Sequence, residues 1–154
     1  MASRALGSLD HIGIAVRSVD KARRFFEGAL GARFKFEARN ETAGFRLLVF
    51  DLNGLSLELL EPLGDGSFLH RFLEQRGEGF HHLTLQVDDP KARIAELKEQ
   101  GVRVVGETEW SPTSYEAFIS PRSSHGVLIQ IGSGYLTLDS DSARPGLGGT
   151  EAEK

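Results

Sequence analysis

Two histidines stand at the heads of matching segments, His11-Ile-Gly-Ile-Ala-Val and His82-Leu-Thr-Leu-Gln-Val. Downstream of them, in register to within one residue, lie Glu58 in Gly54-Leu-Ser-Leu-Glu-Leu and Gln130 in Gly126-Val-Leu-Ile-Gln-Ile. A lone strand histidine is most often a hydrogen-bonded structural residue, but two in repeat register point to a shared task. Two imidazoles, a carboxylate and an amide oxygen suit a divalent first-row cation, with water or substrate filling the remaining positions. The chain has no cysteine, so a disulfide framework, a thiolate metal site and a thiol nucleophile are all excluded.

For these four residues to meet, they must share a face of a sheet, and the patterning provides one. Ile12, Ile14 and Val16 alternate with His11, Gly13 and Ala15, as a strand with two unlike faces requires. Leu83, Leu85 and Val87 alternate with His82, Thr84 and Gln86 in the same way. Glu58 and Gln130 likewise sit opposite apolar rows, so all four face away from the sides that helices should cover. Helical spacing follows each histidine strand: Ala22, Phe25, Phe26, Ala29 and Leu30, capped by Ser18 or Asp20 and stopped by Gly31, then a helix capped by Asp89, opened by Pro90 and ended at Gly101. Phe25 and Phe26 read as core. Further strands are expected over 33–36, 45–50 and 55–60 and over 102–105, 115–119 and 127–131, with 106–113 as a loop. The expected fold class is therefore α+β, two βαβββ modules paired about a pseudo-twofold axis. One domain spans 1–136: module one 8–62, a linker 63–78 with a helix over 67–75, and module two 79–134. The Gly-, Ser- and Asp-rich stretch 137–154 reads as a polar tail.

With 154 residues and 16.9 kDa, 40% hydrophobic and 26% charged, the chain is of single-domain size. A net charge of -4 lacks the basic excess of a nucleic-acid binder. No apolar run is long enough to span a bilayer, and the first residues lack the apolar core of a signal peptide. The expectations are no nucleic acid, no membrane and a cytoplasmic location.

Leu9-Asp10-His11-Ile12-Gly13-Ile14-Ala15-Val16, Glu58-Leu-Leu-Glu-Pro62, Gly79-Phe-His-His82 and Pro121-Arg-Ser-Ser-His-Gly-Val-Leu-Ile-Gln130 resemble the vicinal oxygen chelate superfamily, and within it the methylmalonyl-CoA epimerases. The resemblance runs from about Leu9 to Ile131. It implies a sheet curled around a divalent metal (Co, Ni, Mn, Fe or Zn), chemistry through a metal-stabilised enolate, a carbonyl substrate such as an acyl-CoA thioester, and a homodimer. By position the ligands are His11, Glu58, His82 and Gln130, with His82 rather than His81 the ligand of the pair.

The sequence departs from the epimerase pattern, which has Gln at the Glu58 position and Glu at the Gln130 position. The second family base, a Glu in the first module, meets no Glu near Arg46-Leu47-Leu48. The second module instead carries Glu116-Ala-Phe-Ile-Ser-Pro121 at the repeat-equivalent place. The expectation is an acid-base pair transposed across the pseudo-twofold, Glu58 for one base and Glu116 for the other. Proton return to the neighbouring carbon would be glyoxalase I-type lactoylglutathione lyase chemistry. Two histidines and a carboxylate also suit an extradiol-type dioxygenase, and the fold includes non-catalytic ligand-binding proteins. His70, His125 and Arg122 read as surface or loop residues, although Arg122 could meet a phosphate-bearing substrate. His81 is expected to brace its neighbour. Trp110 and Tyr115 either line the cleft mouth or pack.

Overall fold

The structure, a computed structural model, describes residues 7–133. The tail 137–154 and the first residues, on which the signal-peptide reading rests, lie outside the described residues. Module one comprises β1 (Ser8–Ala15), α1 (Val19–Arg23), β2 (Arg33–Asn40), β3 (Phe45–Leu52) and β4 (Leu55–Pro62). After the linker helix α2 (Leu69–Arg76) come β5 (Gly79–Gln86), α3 (Pro90–Glu99), β6 (Val104–Ser111), β7 (Ser114–Ile119) and β8 (Ile129–Gly132). The strands form one mixed, curled sheet in the order β2-β3-β4-β1-β5-β8-β7-β6.

That order is a repeat folded back on itself. Each module places its first strand parallel to its last, β1 with β4 and β5 with β8, and the two first strands pair antiparallel at the centre. The modules therefore join within one chain, and β1 and β5 form the seam. Both helix caps follow local chemistry: Ser18 Oγ accepts from the Lys21 N–H, and Asp89 Oδ1 accepts from the Ala92 N–H with Pro90 opening α3. Gly101 ends α3 at φ +80°, a conformation that a side chain disfavours.

The apolar rows pack as their alternation requires. Val16, Leu48, Phe50, Leu57 and Leu59 form a core on the α1 side, with Ile12 and Ile14 packed against it. On the other face of module one, Leu47, Val49 and Leu60 meet Leu69 and Leu73 of α2. Val87, Ile119 and Ile131 make the corresponding core with Leu97, on α3.

Three expectations change. Phe25 is not core: it is 55% exposed, because the helix widens after Arg23 into a π-helical segment, Arg24–Ala29. The Leu30 N–H reaches back to Phe25 O, and the altered angular advance leaves Phe25 and Leu30 facing solvent while Phe26 packs inward. The stretch 106–113 is not a loop. Most of it is strand β6, paired with β7 through two register irregularities. β6 is an outermost strand whose residues are exposed or only half-buried, and it carries no apolar alternation to announce it. Lys91 and Lys98 of α3 instead pair with its Glu109 and Glu107. The other outermost strand, β2, likewise runs past Phe36 to Asn40. Among the described residues no helix is long and apolar enough to cross a membrane.

Candidate metal centre and its cleft

The four central strands, β4-β1-β5-β8, carry the candidate site. Across them Glu58, Gly13 and His82 are register partners in one row, and His11, Thr84 and Gln130 in the next. The glycine matters for its lack of a side chain. A Cβ on Gly13 would lie 2.2 Å from His82 Cε1 and 2.4 Å from its Nδ1, so the imidazole occupies the space that any other residue would fill.

His11 is fully buried, and its Nδ1 stands 2.7 Å from Asp10 Oδ2. The carboxylate assigns the proton to Nδ1, which turns the Nε2 lone pair toward His82 and Glu58 as a candidate ligand. His11 Nε2 is 3.3 Å from His82 Nε2, and each of these atoms is 3.7 Å from a Glu58 carboxylate oxygen. Burial pushes the His82 pKa well below its ordinary value, helped by the neighbouring His11 and His81, which favours the neutral imidazole that can offer a lone pair. The three donor atoms lie within 4.8 Å of one another. Ligand bonds of about 2.0–2.2 Å set adjacent donors roughly 3–3.5 Å apart, close to what is seen here. The buried His-Glu-His group thus fits a divalent first-row cation in both donor chemistry and spacing.

Gln130 and Glu116 extend the group by hydrogen bonds. Thr84 Oγ1 donates to Gln130 Oε1 at 2.6 Å and lies 2.9 Å from His11 Nε2. The other end of the amide, Nε2, donates to Glu116 Oε2 at 2.8 Å. The oxygen of Gln130 thus faces the Thr84–His11 side, and its amide nitrogen holds the carboxylate of Glu116. Register makes Glu116 the counterpart of Leu47: Val49 faces Glu58 as Phe118 faces Gln130, and two residues earlier come Leu47 and Glu116. Glu58, His82, Gln130, Glu116 and Leu47 all line one cavity of about 580 Å³. Its walls are largely apolar, with Phe45, Leu60 and Phe118 among them.

The β1–β5 pairing passes from Gly13–His82 to Ile14–Phe80, leaving His81 as the extra residue of a β-bulge. His81 consequently lines the cavity beside its neighbour instead of the opposite face, with Nδ1 3.0 Å from His82 Nδ1 and its ring against Phe72. Burial, with a smaller contribution from Arg76, lowers its pKa to about 4. Trp110 also lines the cavity, whereas Tyr115 donates its hydroxyl to Glu107 and does not. His70 bonds Gly64 O outside the cavity, and neither His125 nor Arg122 lines it. Sequence reasoning missed Asp10, Thr84 and Gly13 as members of the site. Their places beside or opposite the two histidines in the strand alternation were the available signal.

A family profile for the glyoxalase/bleomycin resistance protein/dioxygenase superfamily matches residues 10–116. The chain belongs to this superfamily. Among curated relatives, the superfamily member is 35% identical over 128 residues to the uncharacterised YqjC of Bacillus subtilis, covering 82% of this chain and 91% of that one. It is 32% identical over 130 residues to the ethylmalonyl-CoA/methylmalonyl-CoA epimerase of Cereibacter sphaeroides, covering 82% and 97%. A solved Streptomyces coelicolor methylmalonyl-CoA epimerase variant, in complex with 2-nitronate-propionyl-CoA, superposes with a TM-score of 0.76 at 31% identity, covering 84% of this chain and 96% of that one. Glyoxalase-superfamily membership agrees with the paired modules, the curled sheet and the resemblance read from the sequence.

Proposed function

We propose that this protein is a metal-dependent isomerase that epimerises an acyl-CoA thioester at the carbon next to the thioester carbonyl. The observation that carries this reading is that Glu58 and His82 of the buried His11–Glu58–His82 group line one apolar-walled cavity together with a second carboxylate, Glu116. The similarity to epimerases, one of them solved with an acyl-CoA analogue, supports the substrate class. His11, Glu58, His82 and Gln130 would hold the metal, which when bound supplies Lewis-acid polarisation of two neighbouring substrate oxygens.

The chain's own residues then divide the proton work. One carboxylate, Glu58 or Glu116, takes the α-proton as the C–H electron pair moves into the carbonyl to give an enolate. The other, which must start as the protonated acid, gives its own proton to the opposite face as that pair moves back, so the configuration at carbon is inverted and the two carboxyl groups exchange protonation states. Gln130 Nε2, bonded to Glu116 Oε2, fixes where that carboxylate sits. Asp10 holds His11 in the tautomer that exposes Nε2. Phe45, Leu47, Leu60 and Phe118 keep the surroundings apolar, which strengthens each electrostatic contact and shields an enolate from adventitious protons.

The test is α-proton exchange in deuterated water with methylmalonyl-CoA and cobalt- or nickel-loaded protein. Exchange and epimerisation are expected in the wild type. Glu116→Gln should still exchange one enantiomer while epimerisation falls about 10²–10⁴-fold. Bound metal without exchange of any acyl-CoA would refute the reading. A second reading, an extradiol-type dioxygenase, is favoured by the two-histidine, one-carboxylate count of the buried group. Oxygen consumption with a catechol and ferrous iron would select it.

A further inference from the structure

A second cavity of about 270 Å³ adjoins the first, and Phe68, His81 and Leu128 border both. Its chemistry differs from that of its neighbour. Arg71 and Arg76 line it, no carboxylate does, and neither arginine makes an ion pair among the described residues. Phe68 and Phe80, about half exposed at 51% and 49%, stand at its rim. Arg76 lies over the Phe72 ring, 5.9 Å from its centroid, so its guanidinium is held at the cavity wall, and on a chain whose net charge is -4 an anion would be drawn here by these two local charges and not by a general field. Arginine recognises phosphate through paired N–H donors, and an exposed phenyl ring offers a stacking face for a heterocyclic base.

We propose that this cavity is the subsite for the nucleotide end of the carrier: the phosphates of coenzyme A lie on Arg71 and Arg76, and its adenine lies against Phe68 or Phe80. The inference rests on the acyl-CoA reading of the main cavity. The shared wall at Phe68, His81 and Leu128 gives the geometric link, since a thioester reacting in the first cavity has its pantetheine arm leaving along that wall. The carrier then contributes binding energy remote from the reacting carbon, and a truncated substrate forfeits it.

The subsite is tested by calorimetric titration of the full-length protein with coenzyme A, dephospho-coenzyme A and pantetheine, none of which requires the chemistry to occur. Coenzyme A should bind at least tenfold more tightly than pantetheine. The Arg71→Ala/Arg76→Ala variant should bring that ratio close to one, and Arg71→Lys/Arg76→Lys should recover part of it. Equal binding of coenzyme A and pantetheine, no binding of coenzyme A, or an unchanged ratio in the alanine variant would overturn the subsite. So would sedimentation showing a dimer that Phe68→Asp/Phe80→Asp converts to monomer, because a second copy would then cover that rim. Deuterium exchange with the methylmalonyl thioesters of pantetheine and of coenzyme A separates the two readings. Arginine-dependent coenzyme A binding without exchange refutes the isomerase and leaves the subsite standing. Exchange at equal KM for both thioesters refutes the subsite and leaves the isomerase standing.

Discussion

Gly13→Ala is the sharpest test of how the site is built. A methyl group there would lie 2.2, 2.4 and 2.9 Å from Cε1, Nδ1 and Nε2 of His82. Ordinary carbon contacts begin near 3.5 Å, so the ring must retreat by roughly 1 Å or the seam between β1 and β5 must open. His82 is only 5% exposed and has little room for retreat. Overpacking of this kind costs about 1–3 kcal/mol, which for a chain of this size lowers Tm by roughly 3–10 °C. A 1 Å shift would also take Nε2 out of bonding distance from a cation held by His11 and Glu58, so a candidate ligand would be lost without being mutated. Metal content after dialysis, and thermal melts with and without cobalt, read both effects. The wild type at a hundredfold excess of metal over its Kd should gain about 2.7 kcal/mol, whereas Gly13→Ala should gain far less. His82→Ala removes the ring and with it the clash, so adding Gly13→Ala to that variant should cost almost nothing further. If Gly13→Ala destabilised both backgrounds equally, or bound metal like the wild type, the reasoning would be wrong.

Asp10→Asn should weaken metal binding about 10–100-fold while leaving all candidate ligands in place, because it frees the His11 tautomer; competition with a coloured chelator measures this. For His81 the sign follows from its lowered pKa. Between about 4 and 6.5 the unfolded state binds the proton that the folded imidazole refuses, so stability is fully present above the unfolded pKa and falls as pH drops through that window. Urea unfolding of the metal-free protein at several pH values should show the decline, and His81→Phe should make it shallower without abolishing it, because the buried His82 imidazole contributes with the same sign. Arg46 joins Asp20, Glu37 and the half-buried Glu61, linking the start of α1 to three strands. Arg46→Met should cost about 1–2 kcal/mol in urea unfolding, chiefly from the pair with Glu61, since Asp20 is too exposed to contribute much.

What the sequence revealed follows from what leaves a periodic trace. The duplicated His11 and His82 segments, the alternating rows behind them and the caps Ser18 and Asp89 are local, and each appears in the structure where its spacing puts it. Of the outer strands, β6 left little such trace because its residues are at most half-buried, whereas β2 was read from Phe34 and Phe36 and ended too early, although Ala38 continues their row. The π-helical segment after Arg23 is equally silent, since Phe25 fits a 3.6-residue stripe until the turn widens. At the site, strand alternation was enough to group His11, Glu58, His82 and Gln130 on one face. It could not reveal the bulge that turns His81 toward the cavity, nor the steric reason for Gly13, because both depend on a partner strand distant in sequence. Glu116 was legible only through the repeat, as the residue standing where module one has Leu47.

The seam between β1 and β5 gives the chain two interchangeable halves around one cleft. Turning the molecule half a revolution about the seam exchanges Glu58 with Gln130 and Leu47 with Glu116. Rotation preserves handedness, so a cleft whose carboxylates have moved to the other module accepts the same enantiomers, provided the substrate enters turned end for end. On the proposed acyl-CoA reading, and compared with an enzyme bearing the opposite arrangement, the reacting carbon would stay where it is while the long arm of the thioester left on the opposite side of the seam. A duplicated fold can in this way reverse the path of its substrate by exchanging a few side chains, with no strand moved and no stereochemical preference lost.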